Sequence, residues 1–221
     1  MVQRLSELTI PFIQFSLARR PFAARPELGA LAMEAVNSWA TVEDSMLHMF
    51  VHLLGGDESL AVDIYLGLEG DGPKRSVIAT AAKARLTPEH FELFSVLLEL
   101  ATTNAKARNK LVHRAWQDSP QLPDALLLKD AKAWMRGMNK GIESSDEIEI
   151  YRADDFKNIT KANDRLFDFW TTMYVMVKYR PTGPEFEQLC AEPEIRERLG
   201  HRKARRDRAS NAKPSPQPPG G

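Results

Sequence analysis

Apolar side chains recur at intervals of three and four residues through most of the middle of the chain, which is the spacing of one face of an α-helix. The longest run predicts a first core helix from Leu28 to Leu53, which the Gly55-Gly56 pair ends. A second helical region covers residues 58–86 and is interrupted by the Gly-Asp-Gly-Pro sequence at residues 70–73. Both segments are amphipathic, so each must bury one face against other helices.

Two further helices follow, and each has a recognisable start or end. The Thr87-Pro88-Glu89 sequence is typical of a helix N-terminus in which Thr87 is the cap, and Pro120 and Pro123 are expected to end this third helix. The last helix begins near Asp154-Asp155 and ends before Pro181. Long amphipathic segments joined by mostly short connections predict an all-α fold, an up-and-down bundle of four to five helices.

The segment from residue 118 to residue 153 departs from the helical pattern. Residues 125–129 form a short apolar run, and residues 147–151 alternate strictly between polar and apolar side chains, so both suit short strands. The sequence therefore predicts a small β-hairpin, or a three-stranded flap, inserted before the last core helix.

The two ends of the chain differ from the middle. Residues 1–27 contain three prolines, which exclude one continuous helix and favour an N-terminal arm or short helical turns. The helical bundle is expected over residues 28–199. From residue 200 the chain is basic and then rich in Pro, Gly and Ser, so residues 200–221 are predicted to be a disordered tail.

Composition excludes several classes of protein. The single cysteine, Cys190, rules out an internal disulfide framework and a cysteine-based zinc cluster, and it fits a reducing compartment. No apolar run approaches the roughly 18–20 residues that span a bilayer. Arg4 and Glu7 interrupt the first stretch and argue against a signal peptide. We therefore expect a cytoplasmic protein with no membrane partner.

Net charge looks like an argument against a nucleic-acid partner, because 30 basic residues balance 30 acidic ones. The distribution changes that interpretation. Residues 101–117 hold four basic residues and no acidic one, and residues 194–221 hold eight basic residues against three acidic ones. A net charge of zero for the whole chain is therefore compatible with a local anion-binding site. The basic tail is expected either to attract RNA without regard to its sequence or to act only as a solubilising end.

The end of the third helix carries the combination that suggests chemistry, the string Arg108-Asn-Lys-Leu-Val-His113. On a helix Asn109 and His113 are four residues apart and share a face, and Arg108 occupies the position adjacent to Asn109 around the helix. Arginine holds phosphate with paired donors, neutral histidine can remove a proton from a sugar hydroxyl, and asparagine can orient either group. These three residues are a minimal set for cleaving RNA without a metal, and Lys106, Lys110 and Arg114 are the expected RNA-binding residues.

A purely structural interpretation remains open for the same string. Cations near a helix C-terminus are favoured by the helix dipole alone, and Asn109 and His113 can bond the last carbonyl groups. Arg108 also falls at the spacing of the apolar seam of this helix, which is formed by Phe91, Phe94, Leu98, Ala101 and Ala105. A guanidinium there needs an acidic partner, water or a ligand. An ion-paired seam residue is therefore the alternative to a catalytic arginine.

The string resembles the Arg-polar-x3-x-His motif of HEPN domains, and its place late in a core helix of a bundle is similar too. The resemblance covers roughly residues 28–180. It implies that Arg108 and His113 are a catalytic pair, with Asn109 at the polar position. It also implies a homodimer in which two motifs face each other, and a cofactor-free, metal-independent endoribonuclease that leaves 2′,3′-cyclic phosphate ends. Such enzymes act in toxin–antitoxin or phage-defence systems, where a cognate antitoxin is a partner, while other members bind without cleaving.

Three other side chains of the first helix are candidate site residues. Glu43 lies beside the apolar stripe and is expected either to pair with Arg108 or His113 or to be a solvated flank residue. His48 and His52 have the spacing of helical metal ligands, but the sequence offers no third ligand, so no metal site is predicted. Trp116, which follows the motif, is expected to pack against the inserted strands.

Overall fold

The protein is mostly helical and contains a small antiparallel sheet, so the all-α expectation is correct only in part. The computed structural model describes residues 2–8, 20–139, 147–179 and 183–211. Within these ranges the helices are α1 Pro21–Ala24, α2 Pro26–Leu54, α3 Glu58–Leu66, α4 Asp71–Arg85, α5 Pro88–His113, α6 Ala131–Asn139, α7 Ala153–Tyr179, α8 Glu185–Ala191 and α9 Pro193–Asn211. The strands are β1 Gln3–Arg4, β2 Ala115–Gln117, β3 Ala125–Lys129 and β4 Ile148–Arg152.

The predicted helices are confirmed, and local signals explain where they begin and end. Gly55 and Gly56 follow α2 with φ angles of +67° and +86°, a left-handed conformation that favours glycine. Asp57 caps α3 by accepting a hydrogen bond from the Leu60 amide at 3.1 Å. Thr87 Oγ1 accepts from the His90 amide at 3.3 Å and caps α5. The region from 58 to 86 is divided into α3 and α4 as predicted, but the break covers residues 67–70, and residues 71–73 of the predicted interruption form the first turn of α4.

Helix α5 ends at His113, so the prediction that Pro120 and Pro123 end this helix is wrong. The chain enters β2 almost at once, and Trp116 Nε1 donates a hydrogen bond to the Leu111 carbonyl at 2.9 Å. This bond satisfies one of the carbonyl groups that a helix end leaves unpaired. The side chain of Trp116 also contacts Tyr151 on β4, so its predicted packing against the strands is confirmed.

The inserted sheet is larger than the predicted hairpin. Strands β3 and β4 pair antiparallel, as the prediction requires, and Leu127 lies opposite Ile150. Two further strands extend the sheet, and the order of the strands across it is β1-β4-β3-β2. Along the chain, α6 comes after β3 and before β4. Strand β1 comes from the predicted N-terminal arm, so this arm is in part an edge strand, and α1 and the start of α2 account for residues 21–27.

The chain divides into two compact units, of which unit 1 comprises Met1–Ser45 and Leu100–Asp168. Among its described residues both faces of the sheet are covered by apolar side chains. One cluster joins sheet residues to α2, α5 and α7, and its members are Leu28, Ala32, Ala35, Leu111, Leu126, Leu128, Tyr151 and Phe156. The opposite cluster holds Leu5, Leu122, Ala125, Leu127, Ile148 and Ile150. Burial on both faces explains the uninterrupted leucine run of β3.

Unit 2 comprises Met46–Glu99 and Phe169–Gly221, and its described residues are helical or lie in the connections. Phe94 meets Trp170 edge-on in its core, with ring centroids 5.1 Å apart. Helix α9 continues to Asn211, so the predicted disordered tail is wrong for residues 200–211, while residues 212–221 lie outside the described part. No helix in the described ranges is long and apolar enough to cross a membrane.

Candidate functional site

Arg108 lies in the apolar seam of α5, between the buried side chains of Ala105 and Leu111, and is itself half-buried. Its Nη1 donates a hydrogen bond to Asn109 Oδ1 at 2.9 Å, so the structure brings these two predicted residues together. Its Nε is buried and has no hydrogen-bond partner among the described residues. No carboxylate of the described chain forms a salt bridge with it. The guanidinium is therefore held by an amide and keeps an unused donor.

His113 is the last residue of α5, and its side chain is exposed. Positions i and i+5 of an α-helix differ by about 140° around the helix axis, because each residue turns the chain by about 100°. No hydrogen bond joins His113 to Arg108 or Asn109 within the described residues. The structure therefore brings Arg108 and Asn109 together and places His113 on a different side of the helix from Arg108.

Two of the three predicted RNA-binding residues are paired with carboxylates of unit 1. Lys110 Nζ lies 2.6 Å from Glu149 Oε1, and Arg114 Nη1 lies 3.2 Å from the same oxygen. Arg114 also approaches Asp130, with 3.5 Å between Nη2 and Oδ2. Lys106 is exposed and has no ion pair among the described residues. Lys110 and Arg114 thus each have an acidic partner within unit 1, and their role in RNA binding stays a prediction.

Glu149 is the residue that the sequence analysis missed. It lies on β4, its side chain is only 15% exposed, and Tyr151 donates a hydrogen bond to its second oxygen at 3.1 Å. Burial would raise the pKa of the Glu149 carboxyl, but the hydrogen bond and charge of Lys110 and the charge of Arg114 outweigh it and hold the pKa below its usual value. The same burial, together with the Glu149 charge, raises the pKa of Tyr151.

A signal for Glu149 was present in the alternation of its strand. Side chains two residues apart on a strand lie on the same face, so Glu149 shares a face with Tyr151 while Ile148 and Ile150 share the other. A carboxylate that precedes a buried tyrosine on the same face needs a cationic partner. The helix end at residues 101–117 is rich in such partners, although only the fold shows that they meet.

Asparagine side chains join the helices of unit 1 beside Arg108. Asn163 of α7 is fully buried; it accepts a hydrogen bond from Asn104 at 3.1 Å and donates one to Ser38 Oγ at 2.9 Å. This chain of bonds links α5, α7 and α2. A groove of about 230 Å³ lies over it, and residues lining the groove include Ala107 and Asn158. The network fixes the position of α5 one turn before Arg108.

The other predicted residues of α2 do not join this arrangement. Glu43 is half-buried, and no ion pair between it and Arg108 or His113 is present among the described residues, so the expected pairing is not observed. His52 packs edge-on against Tyr174, and burial, followed by the charges of nearby cations, lowers its pKa. The described residues contain no group of three or more His, Cys, Asp or Glu side chains that could hold a metal ion.

Arg108 and Asn109 are thus the part of the predicted site that one chain assembles. Glu149 and Asp130 neutralise two of the four basic residues at the end of α5, which leaves Arg108 and Lys106 to attract an anion there. Comparison with known proteins finds no matching family model, no matching curated protein and no matching solved structure.

Proposed function

We propose that the end of α5 carries the catalytic centre of a metal-independent endoribonuclease of the HEPN type, built on a helical bundle into which the sheet is inserted. Arg108 binds the scissile phosphate and stabilises the charge of the transition state, Asn109 orients Arg108, and His113 is the general base or acid. No cofactor is required, because the attacking hydroxyl belongs to the RNA itself.

The observation that carries this proposal is the environment of Arg108. A guanidinium in an apolar seam needs partners for its donors, and a seam arginine with a structural role is expected to meet a carboxylate. Arg108 meets none among the described residues; it bonds to a neutral amide, and its buried Nε has no partner. Paired donors that no carboxylate neutralises are suited to a phosphate group.

The reaction divides between these side chains as follows. A neutral histidine removes the proton from a ribose 2′-hydroxyl, whose oxygen attacks the adjacent phosphorus. Arg108 stabilises the negative charge that develops on the non-bridging oxygens. The bond to the 5′-oxygen breaks, and this oxygen takes a proton from a protonated histidine. The products are a 2′,3′-cyclic phosphate and a 5′-hydroxyl.

A second copy of the chain completes the proposed centre. Arg108 and His113 differ by about 140° around α5, so one helix does not direct both side chains at one phosphate. In a two-fold dimer, Arg108 of one protomer and His113 of its partner converge if the ends of the two α5 helices meet. The exposed Val112, next to His113, is an apolar side chain that such an interface would cover.

Mixing two inactive variants tests the shared centre. Purified protein is expected to cut single-stranded RNA in EDTA, and Arg108→Ala and His113→Ala are each expected to be inactive. If each centre combines Arg108 of one chain with His113 of the other, random mixing of the two variants restores about a quarter of wild-type activity, because half the dimers are mixed and each has one intact centre. Lys161→Ala, which removes an exposed cation from α7, serves as a control.

The outcomes separate the proposal from its alternatives. No cleavage by wild-type protein, or equal cleavage by the Arg108→Ala/His113→Ala double variant, would overturn the catalytic assignment. Cleavage with no recovery on mixing would retain the enzyme and refute the shared centre. In cells, cytoplasmic expression of a toxin is expected to arrest growth, and His113→Ala or co-expression of a cognate antitoxin is expected to relieve the arrest.

The separation of His113 from Arg108 favours a second candidate function, a HEPN-like module that binds RNA without cleaving it. Such a module needs Arg108 and the exposed Lys106 but no general base. In that case Arg108→Ala weakens RNA binding, whereas His113→Ala does not change it. Binding measured with 2′-O-methyl RNA, which lacks the attacking hydroxyl, distinguishes this function from catalysis.

A further inference from the structure

Helix α9 distributes its basic residues over different faces. Arg198, Arg202 and Arg206 recur every four residues and therefore lie along one side of the helix. All three form ion pairs with α5: Arg202 Nη1 lies 2.5 Å from Glu99, Arg198 also reaches Glu99, and Arg206 pairs with Glu92. These arginines therefore attach α9 to its own unit, and their charges are balanced.

The remaining basic residues of α9 are spread around its solvent-exposed surface rather than along one line: Arg205, seven residues after Arg198, lies beside that row, and Lys203 lies on nearly the opposite side of the helix from Arg205. They are exposed, none has an ion pair among the described residues, and we call them the outer face: Arg196, Lys203, Arg205 and Arg208. Two exposed acidic residues, Glu197 and Asp207, share this solvent side, so its net charge is positive. Four unpaired cations on 13 residues of helix concentrate positive charge on a chain whose total charge is zero.

We propose that the outer face of α9 binds the phosphate backbone of single-stranded RNA, independently of base sequence. The choice of RNA as the polyanion depends on the function proposed above. Charge complementarity favours a polyanion as the occupant, because cations outnumber acidic residues on the outer face and its other exposed residues within 193–208 are Pro193, Gly200, His201 and Ala204 rather than large apolar side chains. Attraction between these cations and a phosphate backbone needs no apolar area.

The chemistry predicts a salt-dependent affinity. Each phosphate that a lysine or arginine neutralises on single-stranded nucleic acid contributes about 0.7 to the slope of log K against log salt. The triple variant Lys203→Gln/Arg205→Gln/Arg208→Gln is therefore expected to lower the slope by about 2 and to weaken binding at 0.1 M salt by up to about 100-fold. Because these side chains have no partner in the described residues, the helix content is expected to stay unchanged.

The experiment compares this variant with one that removes the same charge elsewhere. Lys132, Lys157 and Lys161 are exposed and lie outside α9, so their replacement by Gln is the matched control. Fluorescence anisotropy with a 2′-O-methyl 20-mer, which cannot be cleaved through its 2′ position, measures binding of the full chain between 50 and 300 mM salt. The α9 variant is expected to bind RNA more weakly and with a smaller slope of log K against log salt. The control variant is expected to keep the wild-type affinity and slope.

Each outcome bears on the inference. An equal loss in both triple variants would mean that total charge alone acts, and would overturn it. Equally tight binding of poly-glutamate would overturn the assignment to a phosphate backbone. If the α9 variant still cleaves RNA at saturating RNA concentration, this supports separate roles, in which α9 binds RNA and Arg108 takes part in cleavage. Wild-type protein that binds through α9 but never cleaves RNA would refute the catalytic proposal and leave this inference standing.

Discussion

Replacing Glu149 with glutamine tests how the end of α5 is held against the sheet. The substitution keeps the shape of the side chain and removes its charge. Lys110 and Arg114 then lose the anion that both approach through one oxygen, at 2.6 Å and 3.2 Å. Tyr151 keeps a hydrogen-bond acceptor but loses a charged one. We expect Glu149→Gln to fold and to be less stable than the wild type at neutral pH.

The expected magnitude follows from the exposure of the three side chains. The Lys110 side chain is 40% exposed, so its ion pair contributes at most about 1 kcal/mol. The Arg114 side chain is 23% exposed and the Glu149 side chain 15%, so their charged hydrogen bond is less screened and contributes about 1.5 kcal/mol. The loss in free energy of unfolding is therefore expected to be about 2 kcal/mol.

The pH dependence provides a second measure of the same interaction. The folded protein holds the pKa of Glu149 below its usual value, whereas in the unfolded chain this pKa is about 4.3. The unfolded state therefore binds the proton first, and the stabilisation is present above the unfolded pKa and is lost as pH falls through the folded pKa. The wild type and Glu149→Gln are thus expected to differ at pH 7 and to converge in acid below both pKa values.

Urea unfolding followed by tryptophan fluorescence, from pH 7 to pH 3, measures both effects. Glu147→Gln is the matched control, because Glu147 precedes β4, is exposed, and has no side-chain partner among the described residues. Equal stabilities of the two variants at pH 7 would refute the ion-pair interpretation. If the Glu149→Gln variant is less stable than the wild type by the same free energy of unfolding down to pH 3, the loss arises from packing rather than from charge.

Three further substitutions test single contacts by urea unfolding. Gly55→Ala is expected to cost about 1–2 kcal/mol, since Gly55 has a φ of +67° and an added Cβ would lie 2.7 Å from Arg85 Nη2; an unchanged midpoint would exclude this strain. Asn163→Leu leaves polar partners of a fully buried amide unpaired and is expected to cost about 2–3 kcal/mol; a neutral result would mean that water replaces the amide. Trp116→Phe keeps an aromatic ring but removes the bond to the Leu111 carbonyl, so a loss of about 1 kcal/mol is expected and earlier amide exchange at the α5 end should accompany it.

The long helices could be predicted because their signals are local. Helix α2 follows an uninterrupted apolar period and ends at two glycines that adopt positive φ. The caps of α3 and α5, Asp57 and Thr87, act on amides three residues away. Residues 200–211 of α9 were predicted to be disordered because arginines of this helix are held by ion pairs to α5, and a basic sequence without an apolar period has the same composition as a disordered tail.

The sheet could be predicted only where a strand is long enough to show a period. Strands β3 and β4 have five residues each; β3 is apolar up to its last residue, Lys129, and the segment that forms β4 alternates between polar and apolar side chains. Strands β1 and β2 have two and three residues, too few for any period, and they join the sheet through partners distant in sequence. The register that sets Gln3 opposite Ile150 arises from tertiary pairing alone.

The charged residues of the candidate site could also be predicted only in part, because their ion pairs depend on the fold. Counting charges along the chain assigns Lys110 and Arg114 to a basic segment with no acidic residue. Glu149, from a strand 39 positions beyond Lys110, pairs with both, and Asp130 supplies the second negative charge. The count along the sequence does not show these acidic partners, because ion pairs form between elements that the sequence separates. Arg108 differs from both: the fold supplies an amide and no carboxylate in the described residues. An unpaired arginine at a seam position is therefore stronger evidence for an anion site than the number of basic residues around it.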